Sequence, residues 1–113
     1  MKYYSEEDME NLRIRFEAKV LFWPQVSTKK MFGCPSYQVN GRLFAFLVTN
    51  GVVITQLVLA NRETLSRQHS TTCFQAGKKT VRHWLQVSIK HQRDLDRLMP
   101  FVRKSYESAL QKA

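Results

Sequence analysis

Apolar positions return along the chain in two rhythms, and each rhythm predicts an element. Near the N-terminus Met9, Leu12, Phe16 and Val20 recur at spacings of three and four, which is one stripe of an amphipathic helix. Ser5, with Asp8 three residues on, predicts the N-cap, and the acidic first turn suits the helix dipole. Pro24 ends the helix, because it disfavours helical geometry at Trp23.

The rhythm then shortens. Asn40-Gly41 and Asn50-Gly51 are hairpin signals, since both turn residues need positive φ. They predict a three-strand antiparallel meander: Tyr37 to Val39, Leu43 to Thr49, and Val52 through Leu59. The middle strand, Leu43-Phe44-Ala45-Phe46-Leu47-Val48, is apolar at every position, as a central strand covered on both sides would be. Thr28 to Phe32 adds a strand before a turn at Gly33.

A short helix over Arg62 to Gln68 follows, with Asn61 as its cap. Thr72 to Gln75 and Thr80 to Ile89 predict a second hairpin that turns at Gly77. In its longer strand Val81, His83, Leu85, Val87 and Ile89 alternate with Arg82, Trp84, Gln86 and Ser88. The helical rhythm returns at Leu95, Leu98, Met99, Val102, Tyr106, Ala109 and Leu110. Pro100 lies inside this last stripe, so the helix kinks there or a second helix starts with Pro100 in its first turn. The expected fold is α+β, with helices against an antiparallel sheet in the order α-β(3)-α-β(2)-α.

The length of 113 residues predicts one domain, residues 1–113. Its two cysteines lie far apart and outside any C-x-x-C motif, which fits free thiols in a reducing compartment. The acidic N-terminal stretch is no signal peptide, and the longest apolar run, Leu43 to Val48, is far too short to span a bilayer. The expected location is cytoplasmic, with no membrane partner.

The net charge of +9 is placed unevenly. Acidic residues are absent from Ala18 through Arg62, and again from Thr64 through Arg93. That balance favours anionic partners, nucleic acid among them. In the hairpin "QAGKKTVRHW", Lys78 and Lys79 sit at the tip, while Arg82 and Trp84 share one strand face. Such a hairpin can track a phosphate backbone or simply be a solvated turn with Trp84 in the core. Arg97, Arg103 and Lys104 on the last helix would extend the same patch.

Other chemistry finds less support. Cys34 would need a base or a positive field to act as a nucleophile, and "Gly-Cys-Pro" also reads as a turn leaving a strand. His69 and Cys73 stand four apart but supply only two of the four ligands of a structural zinc site. All four glycines fall at predicted turns, leaving none for a phosphate-binding loop. Neither a carboxylate pair nor a serine nucleophile motif can be nominated. No cofactor, metal or small-molecule substrate is expected.

Several motifs together resemble the N-terminal domain of the TfoX/Sxy family. They are Met31-Phe32-Gly33, Tyr37, Asn40-Gly41 before Leu43-Phe44-Ala45, Phe74 and Gly77 ahead of Trp84, and Ser105-Tyr106-Glu107-Ser108-Ala109. The resemblance runs from about Phe16 to Ala113. It implies a fold similar to type III secretion chaperones and a non-enzymatic protein without a cofactor. It implies regulation, since full-length relatives are linked to DNA-uptake competence and carry a further helical C-terminal domain, so this chain is expected to stand alone. The related MmcQ/YjbR proteins are often described as predicted DNA-binding proteins. The expected partners are therefore a protein or a second copy of the chain, with nucleic acid as the alternative.

Overall fold

The structure, a computed structural model, describes residues 3–112. Helix α1 (Glu6–Val20) leads into four strands, β1 (Val26–Met31), β2 (Cys34–Val39), β3 (Arg42–Val48) and β4 (Gly51–Ile54). Helix α2 (Leu59–Gln68), strands β5 (Thr71–Ala76) and β6 (Lys79–Ser88), and helix α3 (Gln92–Lys112) complete the chain. The strands form one six-stranded sheet in the order β1-β2-β3-β4-β6-β5, with every pairing antiparallel. The fold is α+β as expected, and the strand expected before Gly33 forms as β1, which makes four strands ahead of α2.

Both sides of the sheet are apolar, but they are covered differently. On one side Phe16 of α1, Leu65 of α2, and Leu98 and Val102 of α3 pack with Tyr37, Phe44, Ile54 and Val87 of the sheet. The second cluster, Cys34, Phe46, Val48, Val53 and Phe74, contains no helical side chain; Tyr3, Met31, Val81 and Trp84 close over it. We call these the helix side and the open side.

A bulge in β3 explains how one strand serves both. Tyr37 pairs with Ala45 and Gln38 with Leu43, so Phe44 is the extra residue. Phe44 and Ala45 therefore both reach the helix side, and Phe46 then faces the open side. The Phe44 carbonyl accepts from the Thr55 N–H at 3.2 Å and from Ser105 Oγ at 2.7 Å. Ser105 Oγ in turn accepts from the Gln56 N–H at 3.0 Å. These bonds draw the chain out of the sheet after Ile54, so β4 ends well short of the expected Leu59.

The termini of the helices differ from expectation in instructive ways. Ser5 makes no side-chain cap; its N–H donates to Thr49 Oγ1 at 3.0 Å, which ties α1 to the end of β3. Helix α2 starts at Leu59, so Asn61 lies inside it, not at its cap. Pro100 sits within one continuous helix, α3.

The two Asn-Gly turns are also unlike each other. Asn40 and Gly41 both have positive φ, +51° and +81°, as a tight primed turn requires. At the second turn only Asn50 does, and Gly51 already belongs to β4. Gly51 is needed for a different reason: a Cβ there would lie 2.6 Å from the Val87 carbonyl oxygen of β6.

Candidate functional site

The helix-free surface is built by two turns and the first described residue. At the β1–β2 turn Phe32 and Gly33 both take positive φ, +56° and +76°. That conformation is natural for glycine and strained for phenylalanine. It turns the Phe32 ring onto the open side, 5.6 Å from the Tyr3 ring and 6.0 Å from Phe74. Phe74 stands edge-on to Phe46 at 5.0 Å, and Trp84 meets Phe46 at 5.5 Å. Tyr3 Oη accepts from the Gly77 N–H at 2.8 Å, which draws the β5–β6 tip across the sheet.

The hairpin folds over because its two strands are unequal. Cys73 pairs with Leu85, yet the next residue, Phe74, pairs with Val81. Arg82, His83 and Trp84 thus have no ladder partner on β5, although the Cys73 thiol donates to the Arg82 carbonyl at 3.4 Å, and the simple alternation expected for β6 breaks there. Leu85 and Val87 go to the helix side, whereas Val81 and Trp84 go to the open side. Phe32 keeps 49% of its surface exposed.

Charge is sorted by element. All nine acidic residues lie in the three helices, and no strand carries one. Lys78 and Lys79 at the hairpin tip and Arg82 on β6 are exposed, and their side chains have no hydrogen-bond or ion-pair partner among the described residues. The cations of α3 are placed elsewhere. Arg103 lies over Trp23 and Tyr106, at 5.0 and 4.9 Å from the ring centroids, and reaches Glu107 at 3.4 Å. Lys104 donates to Asn61 Oδ1 at 3.4 Å, and Arg97 is exposed on the same helix. Helix α3 packs on β3, β2 and β4 from the helix side. Lys78, Lys79 and Arg82 thus belong to one hairpin, and Arg97, Arg103 and Lys104 to a helix packed on the helix side of the sheet.

Most of the motif residues have structural work. Ser105 satisfies the β3 bulge, and Tyr106 donates to the Pro24 carbonyl at 2.7 Å. Met31 borders the open-side cluster beside Cys34. Cys34 itself is fully buried, and burial pushes its thiol up to about 11. Its Sγ–H points at the Phe32 carbonyl 3.8 Å away. A thiol held protonated at neutral pH and closed off from solvent is poorly suited to nucleophilic chemistry. Cys73 is exposed, and both cysteines are free. His69 stacks edge-on against Phe101, and no metal-ligand cluster occurs among the described residues.

A polar cleft of about 560 Å³ lies between α1 and the β1–β2 hairpin. Arg13 forks onto Glu6 at 2.8–3.0 Å and reaches Glu17 at 3.0 Å, while Tyr37 Oη donates to Glu17 at 2.7 Å. The guanidinium holds the Glu6 carboxyl below its usual range, and burial together with Glu17 holds the Tyr37 phenol protonated. Lys29 and Lys30 border the cleft. Each carboxylate is already engaged, so the network reads as a pin between α1 and β2. Sequence spacing gave no hint of the pin, because Tyr37 lies 20 residues from Glu17 across the helix–sheet junction. Tyr3 and Phe32 were likewise missed as lid residues, since neither belongs to a periodic run.

Among the described residues no helix is long and apolar enough to cross a membrane. The family model of the TfoX N-terminal domain matches residues 20–109. Neither a curated protein nor a solved structure matched the chain.

Proposed function

We propose, for a chain that belongs to the TfoX N-terminal domain family, a non-enzymatic regulatory role of the competence-linked kind, exercised by binding another macromolecule through the open side of the sheet. Nucleic acid is the partner whose chemistry fits that side. The observation that carries the reading is the segregation of charge: every acidic residue is on a helix, and the hairpin offers Lys78, Lys79 and Arg82 unpaired. Cations of this kind bind phosphates by releasing counterions. Half-exposed rings beside them, Phe32 and Trp84, supply faces on which unpaired bases stack. Arg97, Arg103 and Lys104 lie on the other side of the sheet and are secondary in this reading. The pair of free thiols supports a reducing, cytoplasmic setting.

The test is fluorescence anisotropy of labelled single-stranded and duplex DNA at two salt concentrations. Binding to the single strand should be tighter and should weaken with salt. Removing both Lys78 and Lys79 by K78A/K79A should lower the log–log salt slope by about 1.4 if each meets one phosphate of a single strand. An unchanged slope would remove the hairpin as the contact. Absence of binding at near-physiological salt would remove nucleic acid as the partner.

A further inference from the structure

The two edges of the sheet are not alike. Edge strand β1 carries adjacent lysines, Lys29 and Lys30, and charges of this type discourage strand addition. Edge strand β5, Thr71-Thr72-Cys73-Phe74-Gln75-Ala76, has no charge, no proline and no glycine. The extra residues of the β5–β6 irregularity belong to β6, so β5 itself is the unbulged strand. Its outer row of N–H and C=O groups is a template for another strand.

We infer that β5 pairs antiparallel with β5 of a second copy of this chain, joining two sheets across a twofold axis at Cys73. The side-chain period of two restricts the register. Residues directly opposite each other must face the same side, so β5 can pair with itself only about a residue, never between two. With the axis at Cys73, each Thr72 opposes the partner's Phe74, a β-branched residue against an aromatic one, and this favourable pair occurs twice. The partner's Cys73 opposes Cys73.

Charge supports a second copy as the occupant. The chain as a whole is strongly cationic, and two copies repel each other over most of their surface. At β5 the strand brings no charge to meet its equivalent. Helix α2 runs into that edge, with Ser66 Oγ accepting from Thr71 Oγ at 3.1 Å. Its exposed Glu63 and Arg67 form no ion pair among the described residues. Two α2 helices related by the twofold run antiparallel and bring Glu63 towards the partner's Arg67, and Arg67 towards the partner's Glu63. A heterologous pairing of β5 with β1 would leave open edges at both ends and place lysines in the joint.

Light scattering at moderate salt tests the pairing, and disulfide trapping tests the register. The expected mass is twice the 13.3 kDa of one chain. Diamide, which takes two electrons and two protons from a pair of thiols, should convert the dimer to a covalent one, because directly opposed strand residues lie within the Cα span a disulfide needs. C73S should stay dimeric and lose the cross-link. C73K should place like charges opposite each other and run as a monomer with unchanged helical circular dichroism. Two results would overturn the inference: a monomer at the highest soluble concentration, or a dimer whose mass is unaffected by C73K and whose thiols resist diamide. Should C73K fail to fold, T71K/Q75K, which sets lysine opposite lysine twice in the same register, carries the same expectation.

Discussion

The helix side and the open side of the sheet bury similar side chains by different means. On the helix side Phe16, Leu98 and Tyr106 come from long amphipathic helices laid along the strands, and the seal is regular. On the open side the cover is improvised from a terminal tyrosine, a strained turn and a hairpin folded back on itself. Hence Phe46 and Phe74 are as buried as any residue beneath the helices, yet their neighbours Phe32 and Trp84 still reach solvent. A side closed in this way keeps aromatic surface at hand for a ligand, which a helix-covered side cannot do without losing its helices.

The largest expected effect separates the two directly. Phe44→Ala removes the ring of the bulge residue from the helix side, and should cost about 4 kcal/mol in urea unfolding. Phe74→Ala on the open side should cost about 3 kcal/mol, because the hairpin can settle into part of the space. Equal losses would mean that the lid is as rigid as the helices. A third effect belongs to Cys34. Its ordinary value is 9.0 and burial raises it to about 11 in the fold. In that window the unfolded chain loses the thiol proton and the folded chain keeps it. Stability is therefore complete below about pH 9 and declines as pH rises towards 11. Cys34→Ser should flatten this decline in denaturation midpoints measured across that range. The smallest expected change is at Phe32. Phe32→Gly relieves the positive φ while giving up a half-exposed ring, so stability should shift by less than about 1 kcal/mol. The same variant should bind single-stranded DNA several-fold more weakly, and a parallel loss of stability and binding would instead make Phe32 a structural residue.

Local features of the fold were legible wherever chemistry acts between near neighbours. The stripes of α1 and α3 and the turns at Gly33, Gly41 and Gly77 all follow from spacing and backbone preference. What escaped depends on residues far apart. The Ser5 cap was displaced by Thr49, the β3 bulge is completed by Ser105, and the curl of the hairpin is fixed by Tyr3. Gly51 was rightly placed near a turn but for a reason the turn does not supply, the approach of Val87. At the candidate surface, the basic tip could be read directly. Its relation to the α3 cations could not, since that depends on α3 packing against β3, β2 and β4 from the helix side.

That order also divides the chain in time. Strands β1 to β4 pair with their neighbours in sequence, as do β5 and β6, so both units can form by short loop closures. A single ladder, Gly51 to Ile54 against Ser88 to Leu85, stitches them together across the intervening helix. Closing that seam takes the larger loop, so it is the pairing expected to form last. A methyl group at Gly51, pressed against the Val87 carbonyl, would fall on the seam and register as a slower clock.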